Sequence, residues 1–122
     1  MTGEPLQTMK EDVPREVLET GRFLDSKKGE DIEILDLREV NSYLEFFVIA
    51  TGNSRTHCRS MAREVMRHSH DLGVEPLHKP DLDSEWIVID CGDLVIHVFT
   101  PEARSFYQLE RLWGDAGRVS IP

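Results

Sequence analysis

Leu44-Glu45-Phe46-Phe47-Val48-Ile49-Ala50-Thr51-Gly52-Asn53-Ser54 is the stretch whose reading decides the fold. No polar residue interrupts Phe46 to Ala50, so this run reads as a strand in mid-sheet with both faces covered. Thr51-Gly52-Asn53-Ser54 ends it, and the apolar spacing changes at once. Cys58, Met61, Ala62, Val65, Met66 and Leu72 fall at three- and four-residue intervals, one apolar stripe over about five turns, with Gly73 as the stop. A buried strand running directly into an amphipathic helix predicts a sheet with helices packed on it.

Upstream, Pro14 suits the first turn of a helix, and Val13, Val17, Leu18, Phe23 and Leu24 form its stripe before Ser26-Lys27-Lys28-Gly29. Ile32, Ile34, Leu35 and Leu37 signal a short strand. Downstream, Val74 to Leu77 reads as an edge strand, since Pro76 cannot donate to a ladder, and His78 to Glu85 as a loop. Trp86 to Asp90 and Leu94 to Phe99 are two strands joined across Cys91-Gly92-Asp93 as a hairpin. Thr100-Pro101-Glu102 starts a last helix, predicted to run to about Trp113 before Gly114. The predicted order is α-β-β-α-β-β-β-α without internal repeat. This is an α/β (α+β) single domain, a mixed sheet of about five strands flanked by helices. A flexible N-terminal tail is expected over 1–12, the domain over 13–117 and a C-terminal tail over 118–122.

At 122 residues the chain suffices for one domain and its core. Its 39% hydrophobic and 30% charged residues describe a soluble globular protein, and the apolar run at 46–50 is too short to cross a bilayer. Fourteen Lys and Arg against 23 Asp and Glu give a net charge of −9. That argues against nucleic-acid binding as the main activity, because phosphate neutralisation supplies such affinity. A basic protein surface is the more natural partner. Cys58 and Cys91 fall in buried-looking runs and make no metal-type pair, and the N-terminus shows no targeting segment. A reducing, cytoplasmic location is expected.

Several patterns carry two readings. The Gly52-Asn53-Ser54 junction with Arg55 can cradle an anion at a helix N-terminus, but any strand turning into a capped helix needs the same residues. Asp36, Asp90 and Asp93 lie at strand ends and could hold Mg²⁺ in a small nucleotidyltransferase, although Asp90-Cys91-Gly92-Asp93 more naturally builds a turn. No His-x-x-x-His or Cys-x-x-Cys spacing supports zinc. His97 shares a strand face with Val95 and Phe99 and reads as a structural histidine satisfied by a neighbouring carboxylate. Arg55, Arg59, Arg63 and Arg67 recur every four residues as a basic ridge, read first as a solvated helix face and second as a contact for phosphate or an acidic patch. A stand-alone oligomerisation module is a further alternative.

Trp86-Ile87-Val88-Ile89-Asp90, then Gly92-Asp93-Leu94-Val95-Ile96-His97-Val98-Phe99, then Arg104-Ser105-Phe106-Tyr107-Gln108-Leu109-Glu110-Arg111-Leu112-Trp113 resembles the ribosomal silencing factor (Iojap-like) family. Gly29-Glu30-Asp31-Ile32, Leu35-Asp36-Leu37 and Phe47-Val48-Ile49-Ala50-Thr51-Gly52-Asn53-Ser54 match in the same order, so the resemblance covers about residues 14–116. Glu45, Thr56 and Lys79-Pro80 depart from the family pattern. The resemblance implies a nucleotidyltransferase-like core without catalytic acids, no cofactor, no metal and no enzymatic activity. It implies a factor that binds the large ribosomal subunit through ribosomal protein L-fourteen, blocks subunit joining and so represses translation, with a part in subunit maturation, and whose members can be homodimeric. Trp86, Asp93, His97, Arg104 and Tyr107 are the signature positions expected at or beside the partner interface.

Overall fold

In the computed structural model, which describes residues 13–121, Phe46–Thr51 is a strand buried at all six positions. The tail expected over 1–12 lies outside the described residues. The elements in chain order are α1 (Arg15–Ser26), β1 (Glu30–Asp36), β2 (Phe46–Thr51), α2 (Arg55–Arg67), α3 (Ser69–Leu72), β3 (Trp86–Asp90), β4 (Leu94–Phe99), α4 (Pro101–Tyr107), α5 (Leu109–Leu112) and β5 (Gly117–Val119). One mixed sheet takes the order β3-β4-β2-β1-β5. β2 is central, parallel to β4 and antiparallel to β1, which is why its sequence lacks polar alternation.

The two sheet faces carry separate cores. Val17 and Leu24 of α1 and Cys58, Met61, Ala62 and Val65 of α2 cover Ile34, Val48, Ala50, Ile87, Ile89, Ile96 and Val98. On the other face Leu35, Phe47, Ile49, Val95 and Phe99 lie under Ala103, Leu109 and Ala116, with Trp113 at the margin. His97 sits on this second face with Val95 and Phe99, as strand alternation requires. The hairpin at Cys91-Gly92-Asp93 forms as read, with Gly92 at φ 85° where a side chain would be strained.

Four segments differ from the sequence reading, the first being the stripe to Leu72, which breaks at His68 into α2 and α3. Val74–Leu77 is no strand: Pro76 cannot pair, and a single bond from Leu77 N–H to Asp90 O (2.8 Å) ties it to the sheet. The fifth strand is instead Gly117–Val119, antiparallel to β1, where the sequence pattern puts the junction of domain and C-terminal tail. The last helix breaks at Gln108, whose φ of 47° and ψ of 52° are left-handed. A straight helix would swing Leu109 about 120° away from the direction of Ala103. The break returns both to the core, at 5% and 4% exposure.

The β2–α2 turn is filled from within. Ser54 Oγ accepts the His57 N–H (3.1 Å), and His57 Nδ1 accepts the Asn53 N–H (2.9 Å), so the capping reading accounts for these amides. A Cβ on Gly52 would stand 2.6 Å from Cys58 Sγ and 3.0 Å from Cys58 N. Gly52→Ala is therefore expected to destabilise the domain by about 1–3 kcal/mol through overpacking, read as a lower urea midpoint at unchanged slope.

Candidate functional site

β3 is a sheet edge, and its outer backbone is capped at both ends. Ser84 Oγ accepts the Trp86 N–H (3.1 Å) and donates to Trp86 O (2.8 Å), while Asp90 O receives Leu77 N–H. Such blunting discourages strand addition. What β3 offers is side chains. By alternation Trp86 and Val88 stand on the second face, opposite Phe99 and His97 of β4. Trp86 stacks on Phe99 at 5.0 Å and packs against Tyr107 of α4 at 4.8 Å, and Phe106 meets Tyr107 edge-on at 5.0 Å. Phe106 is 79% and Tyr107 48% exposed, and Val88 and Leu112 are exposed as well. Two adjacent aromatics on a seven-residue helix cannot both point inward, so an aromatic patch reaches solvent around the half-buried Trp86.

Beneath the patch, the Trp86 Nε1–H donates to His97 Nδ1 at 2.9 Å. The partner of His97 is thus an indole and not the carboxylate that the sequence suggests. Burial pushes the imidazole down to about 4, which keeps it neutral near pH 7. Phe47 packs edge-on against the same ring at 4.5 Å.

Of the five signature positions, Trp86, His97 and Tyr107 form one cluster. Arg104 lies on the same helix as Tyr107, but its guanidinium turns inward. It donates to Thr51 Oγ1 (2.7 Å), Asp31 O (2.8 Å) and Glu110 Oε2 (3.0 Å), and its side chain is 11% exposed. Asp93 is exposed in the hairpin turn, four strand residues from His97 or roughly 13 Å along β4. Its carbonyl accepts the Glu45 and Phe46 N–H groups (2.8 and 3.0 Å), which ties the hairpin to the start of β2. Phe106 and Val88 join the patch although the sequence reading does not single them out. The adjacent Phe106-Tyr107 pair was the available signal.

Several residues of the other candidate chemistries are engaged within the fold. Asp36 accepts bonds from the Arg38 guanidinium (2.9 and 2.8 Å) and backbone N–H (3.1 Å), and Asp90 Oδ1 accepts the Gly92 N–H (2.9 Å). Among the described residues no three His, Cys, Asp or Glu side chains converge to hold a metal ion. Arg55 and Arg59 of the basic ridge both bind Asp83, the latter at 2.7 Å, and so clamp the loop before β3 onto α2. Arg67 pairs with Glu64 (3.1 Å) and Arg63 is exposed. Cys58 and Cys91 are free thiols. Burial raises both, Cys91 to about 11 with help from Asp90, so neither is an activated nucleophile. No helix among the described residues is long and apolar enough to cross a membrane.

Residues 10–122 match the family described as "Ribosomal silencing factor during starvation". The chain is 38% identical over 93 residues to "Ribosomal silencing factor RsfS" of Bacillus subtilis, covering 75% of this chain and 79% of that protein. It is 29% identical over 99 residues to "Protein Iojap, chloroplastic" of Zea mays, covering 78% of this chain and 42% of that longer protein. A crystal structure of a protein from Chromobacterium violaceum superposes with a TM-score of 0.74 at 30% identity, over 90% of this chain and 91% of the other. One from Bacillus halodurans does so at 0.72 and 30%, over 88% and 100%. With its family matched from residue 10 to its end and its sheet shared with those two proteins, the chain belongs to the ribosomal silencing factor family.

Proposed function

We infer that this protein acts in the cytoplasm as a non-enzymatic silencing factor. It docks on the large ribosomal subunit through ribosomal protein L-fourteen and blocks subunit joining by its bulk. The observation that carries this reading is the exposed aromatic patch of Trp86, Phe106 and Tyr107, backed by packed strands and flanked by Val88. Aromatic side chains set in a partly desolvated patch are the usual anchors of protein interfaces. A net charge of −9 supports a basic ribosomal protein as the partner and disfavours RNA phosphate as the main contact. Asp93 adds a charge at the rim, while His97 and Arg104 support the patch from beneath and beside it. A second copy of the chain on the same aromatic face would account for a homodimer.

Truncation of a buried aromatic anchor typically costs about 2 kcal/mol or more, roughly thirtyfold in affinity. Trp86→Ala and Tyr107→Ala are each expected to release the protein from purified large subunits on a sucrose gradient and to restore subunit joining. Arg22→Ala, which removes an exposed pair with Glu19 on the opposite layer, is expected to bind like the parent. Thermal melts establish which variants are folded, and Tyr107, being half exposed, serves if Trp86→Ala does not fold. Folded Trp86 and Tyr107 variants that still co-sediment and still block joining would overturn the reading.

A further inference from the structure

Among the described residues two side-chain atoms are buried without a hydrogen-bond partner, His97 Nε2 and Glu110 Oε1. Glu110 already holds Arg104 through its other oxygen. His97 is different, because its ring is 5% exposed and its only hydrogen bond is to Trp86. An indole can only donate, so Nδ1 is the acceptor and the proton of the neutral ring sits on Nε2, where no group of the described residues receives it. An unmet buried donor costs about 1–3 kcal/mol, which an apolar side chain at this position would avoid. Stability alone therefore does not explain a histidine here. Its bond reaches the half-buried aromatic at the centre of the exposed patch.

We propose that His97 is a positioning residue for docking: it holds the Trp86 indole in one orientation on the sheet and takes up its N–H, so that the surface Trp86 offers is hydrocarbon and the partner patch it fits is apolar. The proposal rests on the docking reading above and refines it. The orientation is set from several sides, by Phe99 at 5.0 Å, Tyr107 at 4.8 Å and the hydrogen bond itself. An indole with a free N–H would instead demand an acceptor from the partner or carry water into the interface. The neighbours of His97 on β2 and β4, Phe47 and Phe99, are uncharged. The titratable groups on the other elements around it are committed elsewhere: Asp90 of β3 to Gly92 N–H, Arg104 of α4 and Glu110 of α5 to each other, and Tyr107 to its contact with Trp86.

Two substitutions separate positioning from packing. His97→Leu keeps the volume roughly and removes the acceptor, whereas His97→Gln offers a carboxamide oxygen. The Trp86 indole N–H resonance, assigned by its loss in Trp86→Phe, is expected to exchange slowly with solvent in the parent and in His97→Gln and rapidly in His97→Leu. Affinity for purified large subunits is expected to fall about tenfold in His97→Leu, the equivalent of one net hydrogen bond, and to stay within about threefold in His97→Gln by the same measure. A folded His97→Leu that binds like the parent, while Trp86→Ala is released, would overturn the positioning role and leave docking intact. Trp86→Ala remaining bound would instead strike the docking reading itself. Should His97→Leu fail to fold, His97→Phe takes its place, since it keeps a planar ring without the acceptor. Parent-like binding by that variant would overturn the proposal, and a loss of about tenfold supports it.

Discussion

Arg104→Ala is expected to destabilise the domain by about 3–5 kcal/mol, the range for breaking a largely buried ion pair from one side. The guanidinium joins four segments at once: α4, which carries it, Thr51 at the end of β2, the Asp31 carbonyl in β1 and the Glu110 carboxylate of α5. Removal strands Glu110 with one oxygen already buried and unpartnered, and leaves Thr51 and Asp31 without their donor. Urea denaturation measures the loss. Removing both charges in Arg104→Ala/Glu110→Ala is expected to recover part of it, because the stranded carboxylate is then gone, and the double-mutant cycle gives the coupling. Arg104→Lys is expected to fall between, since a single ammonium cannot reproduce three directed bonds of a planar fork. A parent-like midpoint for Arg104→Ala would mean that the guanidinium serves the partner and not the fold. The patch depends on this latch because Phe106 and Tyr107 ride on the helix it secures.

Acid is expected to unfold the protein in part through His97. In the unfolded chain a histidine takes its proton near 6.5, whereas burial holds the folded imidazole down to about 4. Between those values the unfolded state binds more protons, so stability is complete above about 6.5 and falls as pH falls toward 4. The contribution levels off below that and totals on the order of 3 kcal/mol. Carboxylates titrate in the same range, so the measurement is a difference. Urea midpoints of the parent and of His97→Leu, taken from pH 7 to pH 4, are expected to shift relative to one another in favour of His97→Leu, because the parent alone loses this share. Parallel curves would show that His97 protonates in the folded state without penalty. The Trp86 N–H needs a neutral Nδ1, so the same protonation releases the indole.

The central strand, the α2 stripe, the hairpin at 91–93 and the Thr100 cap were all legible in the sequence, because each is specified by residues adjacent or one turn apart. A run of five apolar residues needs cover on every side, and β2 has it in mid-sheet, buried throughout. Family membership was legible too, since it rests on ordered motifs. Tertiary structure decided the rest. β5 is three residues long and becomes a strand only where β1 supplies its partner. Val74–Leu77 carries apolar residues but cannot pair through Pro76. Gln108 turns left-handed because core burial of both Ala103 and Leu109 outweighs continuing a helix. Arg104 looks like any surface charge until Asp31, Thr51 and Glu110 are folded around it, two of them more than fifty residues away. The partner of His97 follows the same rule. Local periodicity says which face the ring occupies, but whether an indole or a carboxylate meets it depends on the register between β3 and β4, which hydrogen bonding across the sheet sets and no single stretch of sequence contains.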